Sequence, residues 1–203
     1  MADDLERRLA ASAVPPLDLD ALRAQLARSA ADAGLLDVAY GSYDSPLGTL
    51  TLMVTPRGLV RLSYPGEAID DQLREIADRV SPRILEAPER TDAVRRQLDA
   101  YFDRRRQAFD VPIDWRLVRG FAGDVLRATA RIPFGSVSSY REVAAEAGSP
   151  NAYRAAGNAL GSNPIPIVVP CHRVLHAGGG LGGYTGGLER KRYLLELEGV
   201  LGG

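Results

Sequence analysis

The hydrophobic pattern of this 203-residue chain changes twice, and the two changes restrict the folds that it can adopt. Residues 1–36 are rich in Ala, Leu, Asp and Arg, as is usual in short helices. Residues 37–115 contain strand-like segments followed by helical ones, which is typical of a small α+β domain. Residues 116–203 are largely helical in pattern and rich in small side chains. The pattern therefore predicts a helical N-terminal extension followed by two domains.

The predicted α+β domain begins with β-strands. Turn residues at Ser45-Pro46 and Pro56-Arg57-Gly58 separate three segments of strand composition, DVAYGSY, GTLTLMVT and GLVRLSY. Two helices are predicted next, DDQLREIADRV and TDAVRRQLDAYFDRR. The segment FDVPIDW is predicted to form a last strand, so that the domain ends near Trp115.

The N-terminal extension is predicted to contain a helix capped by Asp18. Leu19, Leu22 and Leu26 fall on one face of this helix, after a break at Pro15-Pro16. The spacing leaves open whether the helix packs on the rest of the protein or projects from it. No residue pattern in the extension indicates chemistry.

The C-terminal domain contains a predicted helix-turn-helix. Pro133 and Gly135 end the helix FAGDVLRATARI, Ser138 or Ser139 is expected to cap SYREVAAEAG, and Asn151 is expected to cap AYRAAGNALGSN. Short helices joined by a tight turn are typical of DNA-binding domains, although other helical hairpins share the pattern. Residues 116–203 contain ten basic and six acidic residues, against 15 and 20 in residues 1–115, which suits a DNA-facing C-terminal half.

Composition excludes several classes of protein. Hydrophobic residues make up 45% of the chain and charged residues 25%, which is ordinary for a globular protein. No apolar run approaches the roughly 20 residues that span a bilayer, and MADDLERRLA lacks the features of a signal peptide, so a cytoplasmic location is expected. The single cysteine, Cys171, forms no intramolecular disulfide. His172 and His176 are too few to complete a Cys/His zinc site, and no metal is expected.

The segment around Cys171 carries the candidate chemistry. Residues 165–169 are predicted to form a short apolar strand, and Pro170 forces an extended entry into the sequence Cys171-His172-Arg173. A glycine-rich stretch follows at 178–187. A lone cysteine after an apolar strand is often a buried small hydrophobic residue, whereas adjacent His and Arg favour a reactive thiolate. A hydrolytic Cys–His pair is a further alternative, with His176 as the other candidate base.

The motif PCHRV resembles the active-site motif of the O6-alkylguanine-DNA alkyltransferases, also called methylated-DNA–protein-cysteine methyltransferases. The resemblance extends upstream through RAAGNALGSNPIPIVV and downstream through GGYTGGLERKRYLLELEG. It covers residues 116–199 well and residues 37–115 loosely. It implies the α+β class, with a small ribonuclease-H-like N-terminal domain and a helical, winged-helix-like DNA-binding domain.

The resemblance also implies a reaction. An alkyl group would pass once from O6-alkylguanine in double-stranded DNA to Cys171, with no cofactor and no obligate protein partner. His172 would act on the thiol through a bound water, and Glu198 would orient the imidazole. Asn163 would brace the active-site turn. Tyr140 would donate a hydrogen bond to the base and help to turn the nucleotide out of the duplex.

Further positions match the DNA-binding and pocket residues of the family. Arg154 would fill the space that the extruded nucleotide leaves in the base stack. The small residues Ala155 and Gly157 would let the recognition helix approach the minor groove closely. The pocket itself would be shaped by the following residues: Pro166, Val174, Tyr184 and Thr185.

Two positions depart from the family pattern, and two other functions stay open. Ala122 and Leu126 replace a polar residue and a tryptophan that are common in the family, and both are expected to be packing positions of a helix. A non-enzymatic sensor of alkylated DNA on the same scaffold is the main alternative, but such relatives lack the acceptor cysteine that Cys171 supplies. A cysteine hydrolase would need multiple turnover and a separate base.

Overall fold

The computed structural model describes residues 18–202, so the predicted break at Pro15-Pro16 lies outside the described residues. A four-stranded sheet forms from β1 (Val38–Ser45), β2 (Gly48–Thr55), β3 (Gly58–Ser63) and β4 (Ile84–Glu86) in the order β3-β2-β1-β4. The first three strands are antiparallel neighbours joined by tight turns, as predicted. β4 pairs parallel to β1 and is an element that the sequence pattern did not reveal.

Both faces of the sheet are covered. Two helices, α2 (Ile69–Arg79) and α3 (Asp92–Phe102), follow the predicted helical segments. Side chains on β2 alternate between two apolar clusters, so that Leu52 packs in the cluster that includes α3 and Met53 packs with Ile76 of α2. The sheet therefore presents one of its faces to the C-terminal half of the chain through α3.

The prediction of a strand at FDVPIDW was wrong. In this segment only Ile113 forms a β-bridge, to Leu59, and the amide of Leu59 donates to the carbonyl of Pro112. Proline has no amide hydrogen to donate, which limits regular pairing along this stretch. A short 3-10 turn at Trp115–Leu117 then leads into the C-terminal half.

The C-terminal half is built from helices. The helices are α4 (Gly120–Thr129), α5 (Tyr140–Glu146), α6 (Tyr153–Gly161) and α7 (Leu188–Leu197), and a short parallel pair joins β5 (Ser138–Ser139) to β6 (Val174–Leu175). Ser139 caps α5 in a capping box with Glu142. Of the two predicted caps, Ser138 and Ser139, the second is the one observed. The predicted cap of α6 by Asn151 was wrong, because Ala152 occupies the cap position and gives no side-chain hydrogen bond.

Residues 165–169 do not form the predicted strand. The segment is a series of buried turns in which the amide of Val169 donates to the carbonyl of Ile165, and Ile167 adopts a left-handed backbone with φ of 72°. Prolines at 164, 166 and 170 remove backbone donors, so regular strand pairing is not available to this apolar run. The turns aim Cys171 back toward α6.

One continuous apolar cluster crosses the predicted domain boundary. It contains Leu50 and Leu98 of the sheet domain together with Val125, Ile165 and Leu194 of the helical half. The boundary predicted near residue 115 stays a prediction.

Within residues 18–202, no helix has both the length and the apolar character that a membrane span requires.

The N-terminal extension packs through alanine rather than leucine. Asp18 caps α1 (Leu19–Asp32), as predicted, by accepting from the amide of Ala21. Leu19, Leu22 and Leu26 are each about half exposed, at 58, 47 and 57%. Ala27 is 1% exposed and packs against two buried alanines of the sheet domain. Small side chains allow helix and sheet to approach closely, so the helix packs through a face that contains Ala27 rather than through its leucine face.

A pair of substitutions tests which face of α1 is docked. Ala27→Gln forces a larger, polar side chain into a packed alanine contact, and we expect a loss of about 1–3 kcal/mol in unfolding free energy. Leu22→Gln changes a half-exposed position and is expected to alter stability by no more than about 0.5 kcal/mol. Urea denaturation of both variants measures the difference. Equal losses would contradict the assignment of the alanine face.

Candidate active site

Cys171 lies in a cavity of about 690 Å³ between the helix-turn-helix and the glycine-rich loop. The thiol side chain is 6% exposed, and helices α5 and α6 form one wall of the cavity. The sequence-predicted residues that line it are Tyr140, Arg154, Gly157, Cys171, Tyr184 and Thr185. The cavity is large enough for a nucleobase and lies open to the outside beside α6.

Asn163 fixes the turn that presents the thiol. Its side-chain amide donates to the carbonyl of Val169 at 2.8 Å and to Sγ of Cys171 at 3.2 Å, and its carbonyl oxygen accepts from the amide of Ile165 at 3.0 Å. One buried side chain thus replaces hydrogen bonds that a strand would have supplied. Asn163 holds both the backbone before Cys171 and the sulfur atom itself.

His172 is fully buried and makes one hydrogen bond through its side chain. Its Nε2 lies 2.9 Å from Oε1 of Glu198. Glu198 is ionised and only accepts, so we assign the ring proton to Nε2 and the lone pair to Nδ1. Among the described residues, Nδ1 has no hydrogen-bond partner. Burial lowers the pKa of His172, although Glu198 opposes this shift, and the imidazole is therefore neutral and available as a base.

Glu198 is held by four hydrogen bonds. Arg173 makes a bidentate pair with it, Nε to Oε2 at 2.8 Å and Nη2 to Oε1 at 2.8 Å. The hydroxyl of Tyr101 donates to Oε1 at 2.6 Å. Burial opposes ionisation, but the hydrogen bonds from His172 and Arg173 outweigh it and lower the pKa of Glu198 to about 2. The carboxylate is therefore ionised at neutral pH.

The thiol itself is protonated at rest. Burial raises the pKa of Cys171, and the hydrogen bond from Asn163 and the charge of Lys191 only partly oppose the increase. A buried thiol of this kind is a poor nucleophile until a base removes its proton. A reaction at this sulfur would therefore need a proton acceptor.

Lys191 is a buried cation that the sequence analysis did not identify. Its ammonium group donates to the carbonyl of Val174 at 2.7 Å and to that of Leu181. Burial lowers the pKa of Lys191 to about 8. Val174 was expected to shape the pocket, but it is not among the residues that line the cavity, and its carbonyl accepts from this lysine.

Two tyrosines, Tyr140 and Tyr184, line the cavity. Tyr140 packs against His176 with ring centroids 5.2 Å apart, and burial raises the pKa of Tyr140, so its hydroxyl stays a proton donor. A Cβ atom at Gly182 would come within 2.6 Å of that hydroxyl, so only glycine allows the loop to pass there. Tyr184 shares a hydrogen bond of 2.7 Å with the hydroxyl of Tyr64.

Arg154 lies exposed at the mouth of the cavity, next to Tyr153 on α6. The guanidinium carbons of Arg141 and Arg154 lie 5.7 and 5.8 Å from the ring centre of Tyr153. Ala155 is exposed on the same helix. The first turns of α5 and α6 therefore present two cations around one aromatic ring, which suits a partner of negative charge.

The two remaining predicted pocket residues occupy different places. Thr185 lines the cavity and donates through its hydroxyl to the carbonyl of Gly161. Pro166 is buried and lines a separate groove on the other side of Asn163. Pro166 thus supports the turn before Cys171 rather than the wall that faces the thiol.

Sequence reasoning missed four residues of the site, which are Tyr64, Tyr101, His176 as a wall residue, and Lys191. The helical pattern of α7 contained a signal for Lys191, because Lys191, Leu194, Leu195 and Glu198 follow the spacing of one buried helix face. Tyr64 and Tyr101 belong to the other half of the chain. No spacing rule connects residues that far apart.

Two family models match this chain. Residues 38–115 match the ribonuclease-like domain of 6-O-methylguanine DNA methyltransferase. Residues 120–200 match the DNA-binding domain of the same family. Together the two matches cover most of the chain.

Individual relatives agree with this assignment. Methylated-DNA–protein-cysteine methyltransferase from Mycolicibacterium paratuberculosis is 42% identical over 161 residues, which cover 79% of this chain and 92% of the relative. The protein of the same name from Methanosarcina barkeri is 34% identical over 170 residues, with 78 and 96% covered. The crystal structure of Mycobacterium tuberculosis OGT in complex with DNA is similar at a TM-score of 0.67 and 41% identity, over 79% of this chain and 92% of that one. This chain therefore belongs to the 6-O-methylguanine DNA methyltransferase family.

Proposed function

We propose that this protein repairs DNA by moving the alkyl group of O6-alkylguanine onto Sγ of its own Cys171. The observation that carries the proposal is a buried thiol that lines a cavity large enough for a nucleobase and is followed in the chain by a buried imidazole, whose Nε2 is held by Glu198 and whose Nδ1 has no partner among the described residues. Membership of the family supports the same reaction. The chain itself thus supplies both the nucleophile and its base.

The reaction forms an S–C bond and breaks the C–O6 bond of the alkylated guanine. His172 receives the thiol proton at Nδ1, through a bound water, so that the sulfur attacks as a thiolate. Tyr140 donates a hydrogen bond to the purine as the electron pair of the broken bond returns to it. The product is a thioether, which has no electrophilic carbonyl for water to attack. Each protein molecule therefore reacts once.

Alkyl transfer needs a proton acceptor because the resting thiol of Cys171 is only weakly acidic. A thiol with the usual pKa near 8.5 is only about 3% ionised at pH 7. Burial raises the pKa of Cys171, so the ionised fraction is smaller still without help. Proton transfer to His172, a neutral base that Glu198 orients, overcomes this barrier.

Double-stranded DNA is the proposed partner. Helices α5 and α6 form the helix-turn-helix next to the cavity, and Arg154 occupies the rim where an extruded nucleotide would enter. Flipping costs a few kcal/mol, and less for a badly paired alkylated guanine. Arg154 offsets part of this cost by filling the vacated space in the stack. Binding through the minor groove suits a protein that must find damage in any sequence.

We also propose that the protein acts in the cytoplasm. A single buried cysteine that must stay reduced to react fits a compartment that keeps thiols reduced.

The role of Glu198 is tested by Glu198→Gln. The amide keeps the shape of the side chain but loses the charge that stabilises a proton on His172, and we expect alkyl transfer to slow about tenfold or more while DNA affinity changes little. Glu196→Gln, at an exposed position of α7, is the matched control. Single-turnover rates on a methylated duplex, with thermal melting to check folding, measure the effect. A wild-type rate in folded Glu198→Gln would remove Glu198 from the mechanism.

Stoichiometry tests the single-turnover reaction. Titration with excess duplex that contains O6-methylguanine should consume one lesion per protein and then stop, because the chain has no second cysteine to accept the group. Intact-mass analysis should show a gain of one methyl group, mapped to Cys171. Sustained turnover would instead favour a hydrolase.

Two further variants separate chemistry from DNA binding. Cys171→Ser should abolish transfer and leave affinity for methylated duplex close to that of the wild type, because only the nucleophile changes.

Arg154→Ala should slow repair of a paired lesion about tenfold or more. The variant should react with free O6-benzylguanine nearly as fast as the wild type does, since a free base needs no flipping. Arg192→Ala, at an exposed position of α7, controls for the loss of one positive charge. An equal loss on free base and duplex would contradict the proposed role of Arg154.

A further inference from the structure

The sheet domain contributes a side chain to the active centre of the helical half. Tyr101, near the end of α3, is completely buried, and its hydroxyl donates to Oε1 of Glu198 at 2.6 Å. The same oxygen lies 2.9 Å from Nε2 of His172 and 2.8 Å from Nη2 of Arg173. Three donors therefore share one carboxylate oxygen.

We infer that Tyr101 is a positioning residue for alkyl transfer, because its hydroxyl competes with His172 for Glu198 and so sets how readily His172 takes up a proton. This inference rests on the proposed role of His172 as the base. Tyr101 does not line the cavity that holds Cys171, and it acts through Glu198 alone.

The direction of the effect follows from electrostatics. A hydrogen bond from Tyr101 withdraws negative charge from the oxygen that faces His172, which makes Glu198 a weaker partner for an imidazolium ion. Burial raises the pKa of Tyr101 far above its ordinary value, so the hydroxyl keeps its proton and donates over the pH range in which His172 titrates. Without the hydroxyl, Glu198 stabilises protonated His172 more strongly. His172 then loses its function as a base at a higher pH.

Other groups around Glu198 and His172 also affect the protonation of His172, and they are the same in the wild type and in a Tyr101 variant. Burial keeps His172 neutral, and the nearby cations Arg173 and Lys191 also disfavour a second positive charge there. The titratable groups that face Tyr101, Glu198 and His172 from the surrounding elements are Tyr64, Cys171, Arg173, Tyr184 and Lys191. Substitution of Tyr101 leaves all of these in place, so a change in the titration of His172 reports the lost hydroxyl.

The ring of Tyr101 is held independently of its hydroxyl. It packs against Phe102, Phe109 and Phe134, with centroid distances of 5.4, 5.3 and 6.1 Å. Tyr101→Phe therefore keeps these ring contacts and removes only the hydrogen bond. The chain also offers a matched control in Tyr43, whose buried hydroxyl donates to Asp99 of the same helix α3 at 2.7 Å, away from the cavity.

The experiment compares wild type, Tyr101→Phe and Tyr43→Phe from about pH 5 to about pH 9. Two quantities are followed: the single-turnover rate with free O6-benzylguanine, and the NMR titration of the imidazole signals. The chain has only two histidines, so His176 serves as an internal reference for His172. In Tyr101→Phe we expect the acid limb of the rate profile and the titration of His172 to move upward by about half a unit to one unit. Tyr43→Phe and the signals of His176 should match the wild type.

Two other outcomes would contradict the role of Tyr101, and a third would contradict the proposed function. A Tyr101→Phe profile that keeps its shape, or a uniform loss of rate without movement of the His172 titration, shows that Tyr101 is only structural. If Tyr101→Phe does not fold, a ring-fluorinated tyrosine placed at position 101 alone gives a stronger donor and should move the acid limb downward; no movement refutes the inference. Absence of transfer in the wild type would refute the proposed function instead, and the NMR titration would still decide the role of Tyr101.

Discussion

The buried carboxylate of Glu198 is the interaction on which the rest of this structure depends. It accepts from His172 and Arg173 next to the thiol and from Tyr101, which lies 97 residues away in the other half of the chain. An ionised carboxylate that loses its partners in such a site costs several kcal/mol, so its contacts must form together. The same contacts that make the charge tolerable also fix the tautomer of His172. The hydrogen bonds that stabilise the buried charge are therefore the same ones that define the state of the imidazole.

The backbone that carries Cys171 depends on a second buried polar side chain. Prolines before and after residues 165–169 remove donors that a strand would need, and Asn163 supplies replacement hydrogen bonds from its amide. The same amide contacts Sγ of Cys171. Lys191 joins β6 and the glycine-rich loop to α7 through hydrogen bonds to two carbonyls. Two buried polar side chains thus fix irregular backbone on either side of Cys171 in the sequence.

Local patterns predicted the regular elements well where local forces decide them. β1 to β3, α2 and α3, and the caps at Asp18 and Ser139 follow from turn residues, periodicity and side-chain hydrogen bonds to nearby amides. The two strands that were predicted wrongly, in FDVPIDW and in residues 165–169, lie where prolines limit regular pairing. The contacts of α1 could not be predicted from its leucine face, because hydrophobic spacing indicates a helix face but not whether another surface packs against that face. Alanine, which allows close approach, made that contact.

The sequence by itself showed which residues were candidates for the chemistry, because the chain has a single cysteine and His172 follows it directly. It also determined the family, through motifs that extend over most of the chain. Only the tertiary structure decided how those groups are tuned. Tyr101 reaches Glu198 because an apolar core brings α3 against α7, and burial in that core raises the pKa of Cys171 and lowers that of His172. Solvation and hydrogen bonds between distant segments exist only after packing, so no local pattern encodes them.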